Sequence, residues 1–307
     1  MFCTAAASDG KITPVIQQQY LLHINKAKLF SADSLYQKAC DEYEIAFHLR
    51  KDYALDLFAC AYTYDKLNDM ERTMKYLKLS IEGGFDLEYE WVNNPAYLTN
   101  LKKANRHLPL SQFDECKKAF YQKMNMDYYL KLEKLVAQDQ VIRKIKKSDF
   151  AQITDTKAKN MLMGIVDSTN MVELKALIEK YGYPQYSSAG FMGEMNVFIL
   201  LLHGLNDGEN DSLHWAYYQP LILKEVKDGN VMPDHYAYLY DRIISKSAKG
   251  KECYGTQFTV NSNGTYGVVP IYDIENVDIR RREIGLPTLE DAFKLSGLKL
   301  PEGYVRK

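Results

Sequence analysis

The chain has 307 residues, 46% hydrophobic and 26% charged, enough to bury the cores of two ordinary domains. Its 39 basic and 40 acidic side chains leave a formal charge of −1, so no global field attracts nucleic acid or an anionic membrane. The five cysteines (Cys3, Cys40, Cys60, Cys116, Cys253) are odd in number, widely spaced and without a CxxC pair, which argues for reduced thiols rather than a disulfide framework or a zinc site.

The first residues, Met1 to Ser8, lack a basic leader followed by a long apolar stretch. The chain as given therefore reads as cytoplasmic, or as exported and lipid-anchored at Cys3 if a leader precedes it. The longest apolar run, Val197 to Leu202, is too short for a transmembrane helix.

Residues 12–105 repeat. An offset of 34 superposes Ala27 on Ala61, Phe30 on Tyr64, Ser34 on Asn68 and Tyr36 on Met70. It also superposes Ala39 on Thr73, Tyr43 on Leu77 and Ala46 on Ser80. Small residues recur where two helices approach and large ones where they fill the groove between. Period and pattern resemble tetratricopeptide repeats, with Ser34 and Asn68 at the turn in place of glycine. That resemblance implies a protein or peptide partner on the repeat face. Thr13-Pro14 starts the first helix, Asp52 opens the third, Gly83-Gly84 closes the fourth, and an irregular pair broken at Asn94-Pro95 caps the module.

Pro109 and Ser111-xx-Asp114 start a connector, residues 106–127, and the helical pattern continues to Lys147 with an apolar stripe from Leu130 to Ile145. The basic run Arg143 to Lys147 reads as a solvated helix end rather than a nucleic-acid site, because no aromatics interleave it. A helical domain over 128–296 follows, and a tail over 297–307. In it, Thr154–Asp167 and Asn170–Tyr181 read as two helices, the second capped by Ser168. Gly190–Leu205 is apolar almost all round, as in a buried helix. Asp211–Lys227 is kinked or broken at Pro220, and Pro233–Lys246 carries one aromatic face.

Only at 252–272 does the period become two. Tyr254, Thr256, Phe258 and Val260 share a strand face, and Asn263-Gly264 is a hairpin turn. A two-residue loop pairs Phe258 with Val269 and Thr256 with Ile271, and packs the apolar face on the buried helix. The expected fold class is mainly α: helical-hairpin repeats followed by a helical domain carrying one β-hairpin.

Candidate chemistry is sparse. His203 ends the buried helix, either as a satisfied core histidine or as a general base. His203 and His214 are eleven apart across a breaker-rich loop and make no helical metal pair; no metal or cofactor is expected. Asp241 and Arg242 either tie the hairpin to the helices or, with Arg280 or Arg281, clamp an anion. Gln257 lies beside Gly255, where it either satisfies loop carbonyls or reads a ligand. Cys253 has no activating neighbours in the sequence. The polar set His203, Asp241, Arg242, Gln257 and Arg281 is the candidate site.

An ordered series of strings carries a second resemblance: Asp139-Gln140-xx-Arg143, Asn170, Gly182-Tyr183-Pro184, Gly190, His203, Asp241-Arg242, Tyr254-Gly-Thr-Gln257, Pro270-Ile271-x-Asp273 and Val277-Asp278-x-Arg280-Arg281. Over roughly 128–296 the chain resembles a bacterial family catalogued as domain of unknown function 6624. The family often has Gln-His in the buried helix and Gly-Trp-Pro before it; Leu202 and Tyr183 stand here instead. No activity comes with that resemblance. The sequence thus reads first as an interaction or scaffold protein rather than an enzyme, and alternatively as a hydrolase-like or small-ligand domain with its polar site near the hairpin.

Overall fold

The structure, a computed structural model, describes residues 14–88, 94, 96–104, 110–144, 156–205, 211–247, 250–260 and 266–307. The leader and Cys3, the Thr13 cap, Pro95, Pro109, the end of the basic run and the Asn263-Gly264 turn lie outside the described residues. Among the described residues there are thirteen α-helices and a single two-stranded antiparallel sheet. They are α1 (Pro14–Ala32), α2 (Tyr36–Leu49), α3 (Ala54–Lys66), α4 (Met70–Glu82), α5 (Thr99–Ala104), α6 (Asp114–Lys123) and α7 (Met126–Lys144). Then come α8 (Thr156–Tyr181), α9 (Tyr186–Gly204), α10 (Asp211–Lys227), α11 (Pro233–Ser247), β1 (Phe258–Val260), β2 (Tyr266–Val268), α12 (Val277–Glu283) and α13 (Leu289–Ser296). No described helix is long and apolar enough to cross a membrane. The chain forms two compact units: one joins the N-terminal residues through Lys51 to Ile222–Lys307, the other is Asp52–Leu221.

The helical hairpins α1–α2 and α3–α4 repeat one local geometry at an offset of 34. Ser34 and Asn68 both take left-handed backbone, at φ 60° and 59°. The Leu35 amide donates to Phe30 and the Asp69 amide to Tyr64, at 2.8 and 3.1 Å. These are the bonds that satisfy carbonyls orphaned at a helix C-terminus. The small residues aligned from the sequence, Ala27, Ala39, Ala46, Ala61, Thr73 and Ser80, are all fully buried, so each hairpin closes along them. Tyr53 rather than Asp52 holds the cap position of α3, which starts at Ala54.

In the first unit, α1 buries Gln17, Tyr20, Leu21, Ile24 and Ala27 along one stripe. Arg50, after α2, anchors the stripe: its Nη1 donates to Gln17 Oε1 at 2.6 Å and to the carbonyl of Gly229, and the guanidinium lies 5.6 Å from the Tyr20 ring centroid. Ile271, Val277, Leu289 and Phe293 form a small core with Val268 packed against it. The sheet differs from expectation in length and register. Each strand has three residues, and Phe258 pairs with Val268 rather than Val269. Residues 254–257 are not strand; they curl into a loop whose backbone amides are taken by carboxylates, as described below. Phe258 packs edge-on against Phe293 of α13, at 5.9 Å between centroids.

In the second unit, α7, α8 and α9 enclose Leu132, Leu135, Leu174, Ile178, Val197 and Leu201. The helix expected from Ser111 to Lys147 breaks at Met124-Asn125, and Asn125 Oδ1 accepts from the Tyr128 amide at 3.1 Å to start α7. Conversely, the two helices expected over 154–181 are one. Ser168, expected as the cap of the second, lies inside this helix. Pro220 does not break α10. Helix α9 is less apolar than it reads: Glu194 is fully buried, and Asn196 Nδ2 donates to Glu133 Oε1 at 2.8 Å. Gly190 bends the start of α9 at φ 67°; a Cβ there would meet the Phe120 ring at 2.4 Å. Asp65, fully buried, accepts from the amides of Asn100 and Leu101 at 3.1 and 2.6 Å and so caps α5.

Candidate functional site

Among the described residues the candidate side chains gather in two polar centres, one in each unit. In the first, the loop 252–257 wraps the Asp241 carboxylate of α11. Oδ1 accepts from the Cys253 and Tyr254 amides at 2.7 and 2.9 Å, and Oδ2 from the Thr256 amide and hydroxyl at 3.0 and 2.9 Å. Asp241 is fully buried, which is tolerated because donors surround both oxygens. Gly255 makes the curl possible: its φ is 74°, and a Cβ would stand 2.7 Å from Ile271 and 2.8 Å from Leu289.

A second buried carboxyl completes the centre. Glu252 Oε2 accepts from the Thr256 and Gln257 amides at 2.6 and 3.0 Å, so the Thr256 amide is shared between the two carboxyl groups. Burial above all, and then the neighbouring Asp241 charge, push the Glu252 acid up to about 9. At neutral pH Glu252 is therefore protonated and shares its proton with Asp241. The backbone of Glu252 is bridged to strand-like Ile271, donating to Pro270 and accepting from Tyr272 at 2.8 and 2.7 Å.

The arginines serve the same loop. Arg281, 3% exposed, donates to the carbonyls of Tyr254 and Pro287 at 2.5 and 2.7 Å. Arg280 donates to the carbonyls of Cys253 and Tyr272 at 3.1 and 2.5 Å. Asp278 accepts from the Leu289 amide at 2.8 Å and the Tyr304 hydroxyl at 2.7 Å. Gln257 Nε2 donates to the Tyr238 carbonyl at 3.1 Å. Burial raises the Cys253 thiol, which disfavours the nucleophilic thiolate. Asp241, Gln257 and Arg281 thus meet around one loop, with their polar atoms spent on backbone; Arg242 lies half-buried on α11 beside Asp241.

His203 belongs to the second unit and to a different set of partners. Its Nδ1 lies 2.9 and 3.0 Å from the two oxygens of Asp139, which is 1% exposed. Arg143, one turn along α7 from Asp139, contacts that carboxylate at 2.7 Å and binds both oxygens of Asp167 at 2.8 Å. Gln140 Nε2 donates to Asp139 at 2.8 Å, and Asn170 Nδ2 to the Leu135 carbonyl at 3.3 Å. Burial first holds the Asp167 carboxyl above its ordinary value, against the pull of Arg143. The strings Asp139-Gln140-xx-Arg143, Asn170 and His203, far apart in sequence, thus converge. Asp139 and Arg143 were visible as an i,i+4 pair on one helix face. Asp167 had no sequence signal as a site residue. Among the described residues no group of His, Cys, Asp and Glu side chains has the makings of a metal site.

Residues 127–300, more than half of the chain, match the profile of a family of unknown function, DUF6624. The chain belongs to DUF6624. No curated protein and no solved structure matches it. The DUF6624 match takes in both polar centres, the loop around Asp241 and the Asp139–His203 pair, and leaves the first helical hairpins outside it.

Proposed function

We propose that the protein is an interaction or scaffold module whose first helical hairpin receives an extended segment of a partner protein. The observation that carries this reading is a groove of about 520 Å³ in the first unit, running along α1. Gln18, Leu22, Asn25 and Leu29, spaced four, three and four residues apart, line one wall, with Leu286 and Pro287 across from them. That spacing gives α1 a second face beside the one that packs against α2. Leu22 is 47% exposed and adds apolar surface to that wall. Amide side chains carry donors and acceptors together, which suits the alternating groups of an extended backbone. Of the cations that line it, Arg306 is paired with Glu290 and Asp291, which leaves Lys26 to meet an acidic residue beside the aliphatic side chains of the matching segment. Against a hydrolase-like site at Asp241 and Arg281 stands the consumption of their polar atoms by the loop.

The test is selection from a random peptide library on the full chain, followed by fluorescence polarisation with the enriched peptides. Aliphatic-acidic sequences are expected, with binding weakened at least tenfold by Leu22→Glu and the acidic preference lost in Lys26→Glu, both at unchanged melting temperature. Peptides that bind Leu22→Glu as well as wild type, or no enrichment over an unrelated protein, would sink the reading.

A further inference from the structure

The pairing of His203 with Asp139 fixes more than a position. In the neutral imidazole, a carboxylate 2.9 and 3.0 Å from Nδ1 puts the proton on that nitrogen and the lone pair on Nε2. Nε2 has no hydrogen-bond partner among the described residues, and the side chain is 24% exposed. One ring nitrogen is thus held by Asp139, and the other is bonded to none of the described residues.

The groups around it hold it rather than compete with it. Asp139 accepts from Gln140 and Arg143 as well as from the imidazole. Arg143 spans Asp139 and Asp167, and Lys159 of α8 donates to the Arg143 carbonyl at 3.1 Å. Nη1 and Nη2 of Arg143 are both taken up by Asp139 and Asp167, so they are not free to clamp a phosphate or carboxylate.

We infer that His203 is a general base, positioned by Asp139, that acts on an uncharged ester. Nε2 takes a proton from water as the water oxygen forms its bond to the acyl carbon. The carbon–oxygen bond to the leaving alcohol then breaks, and the proton passes from the imidazolium to the departing oxygen. Asp139 keeps the tautomer and the ring orientation, and stabilises the imidazolium; it is a positioning residue.

The experiment uses the full chain with 4-nitrophenyl acetate as probe. His203→Asn retains a donor where Nδ1 stood and removes Nε2. It is expected to lower the hydrolysis rate by on the order of 100-fold, in keeping with the usual contribution of a general base, and to abolish the solvent deuterium isotope effect. Asp139→Asn is expected to lower the rate as well, and to slow carbethoxylation of His203 by diethyl pyrocarbonate, read by mass spectrometry. Wild-type hydrolysis and isotope effect in His203→Asn would overturn the inference. If His203→Asn folds poorly, the carbethoxylation of wild type decides: His203 modified fastest among the histidines supports the inference, and His203 resistant to modification overturns it.

Discussion

Replacing Glu252 by Gln separates a structural acid from an ionised one. With its acid at about 9, against 4.5 for an exposed glutamate, Glu252 holds a proton in the folded chain that it releases on unfolding across most of the neutral range. The folded state binds the extra proton, so its contribution to stability is fully present below about pH 4.5 and is lost as pH rises towards 9. One proton corresponds to a slope of about 1.4 kcal/mol per pH unit, so between pH 6 and pH 8 the loss is on the order of 2.7 kcal/mol. Glutamine copies the protonated acid. Its carbonyl oxygen accepts from the Thr256 and Gln257 amides, and its NH₂ faces Asp241 as the acid proton does. Urea unfolding of both proteins at pH 6, 7 and 8 isolates the effect, because every other titrating group is common to the two. The difference in stability is expected to move in favour of Glu252→Gln by roughly 1 kcal/mol or more per pH unit. Parallel pH profiles would refute the protonated pair.

Three further outcomes follow from the geometry. Gly255→Ala forces a Cβ to 2.7 Å from Ile271 on left-handed backbone, and is expected to cost about 2–4 kcal/mol, read as a loss of melting temperature. Ser34→Gly, at φ 60°, is expected to stabilise by roughly 1 kcal/mol, and Asn68→Gly by less, since asparagine tolerates the left-handed region better; differential scanning calorimetry reads both. Asp65→Ala leaves the Asn100 and Leu101 amides without their acceptor, and is expected to cost about 2–3 kcal/mol and to raise amide exchange in α5.

Much of this fold is written in local pattern. The 34-residue offset is legible because helix pairs demand small residues at their closest approach, and Ala27, Ala61, Ala39 and Ala46 sit there. Helix ends marked by glycine, such as Gly83-Gly84, read correctly for the same local reason. What fails to read is decided by tertiary partners. Ser168 has the composition of a cap, yet α8 runs on through it. Tyr254, Thr256 and Phe258 alternate like a strand, but two buried carboxyl groups draw the amides of Tyr254, Thr256 and Gln257 out of any ladder. The hairpin register also differs by one residue, with Phe258 opposite Val268. The candidate site was half legible. Asp241, Gln257 and Arg281 of the candidate set meet around the loop 252–257. His203 was singled out without its partner, because Asp139 lies 64 residues away on another helix and only folding brings the two together.

The most direct measurement on the Asp139–His203 pair is a long-range ¹H–¹⁵N correlation spectrum of the histidine side chains, with His203 assigned by its absence in His203→Asn. For neutral imidazole, a proton on Nδ1 and a bare Nε2 is the predicted pattern, exchanged for a tautomer mixture in Asp139→Asn. A proton on Nε2 in the wild-type chain would contradict the account.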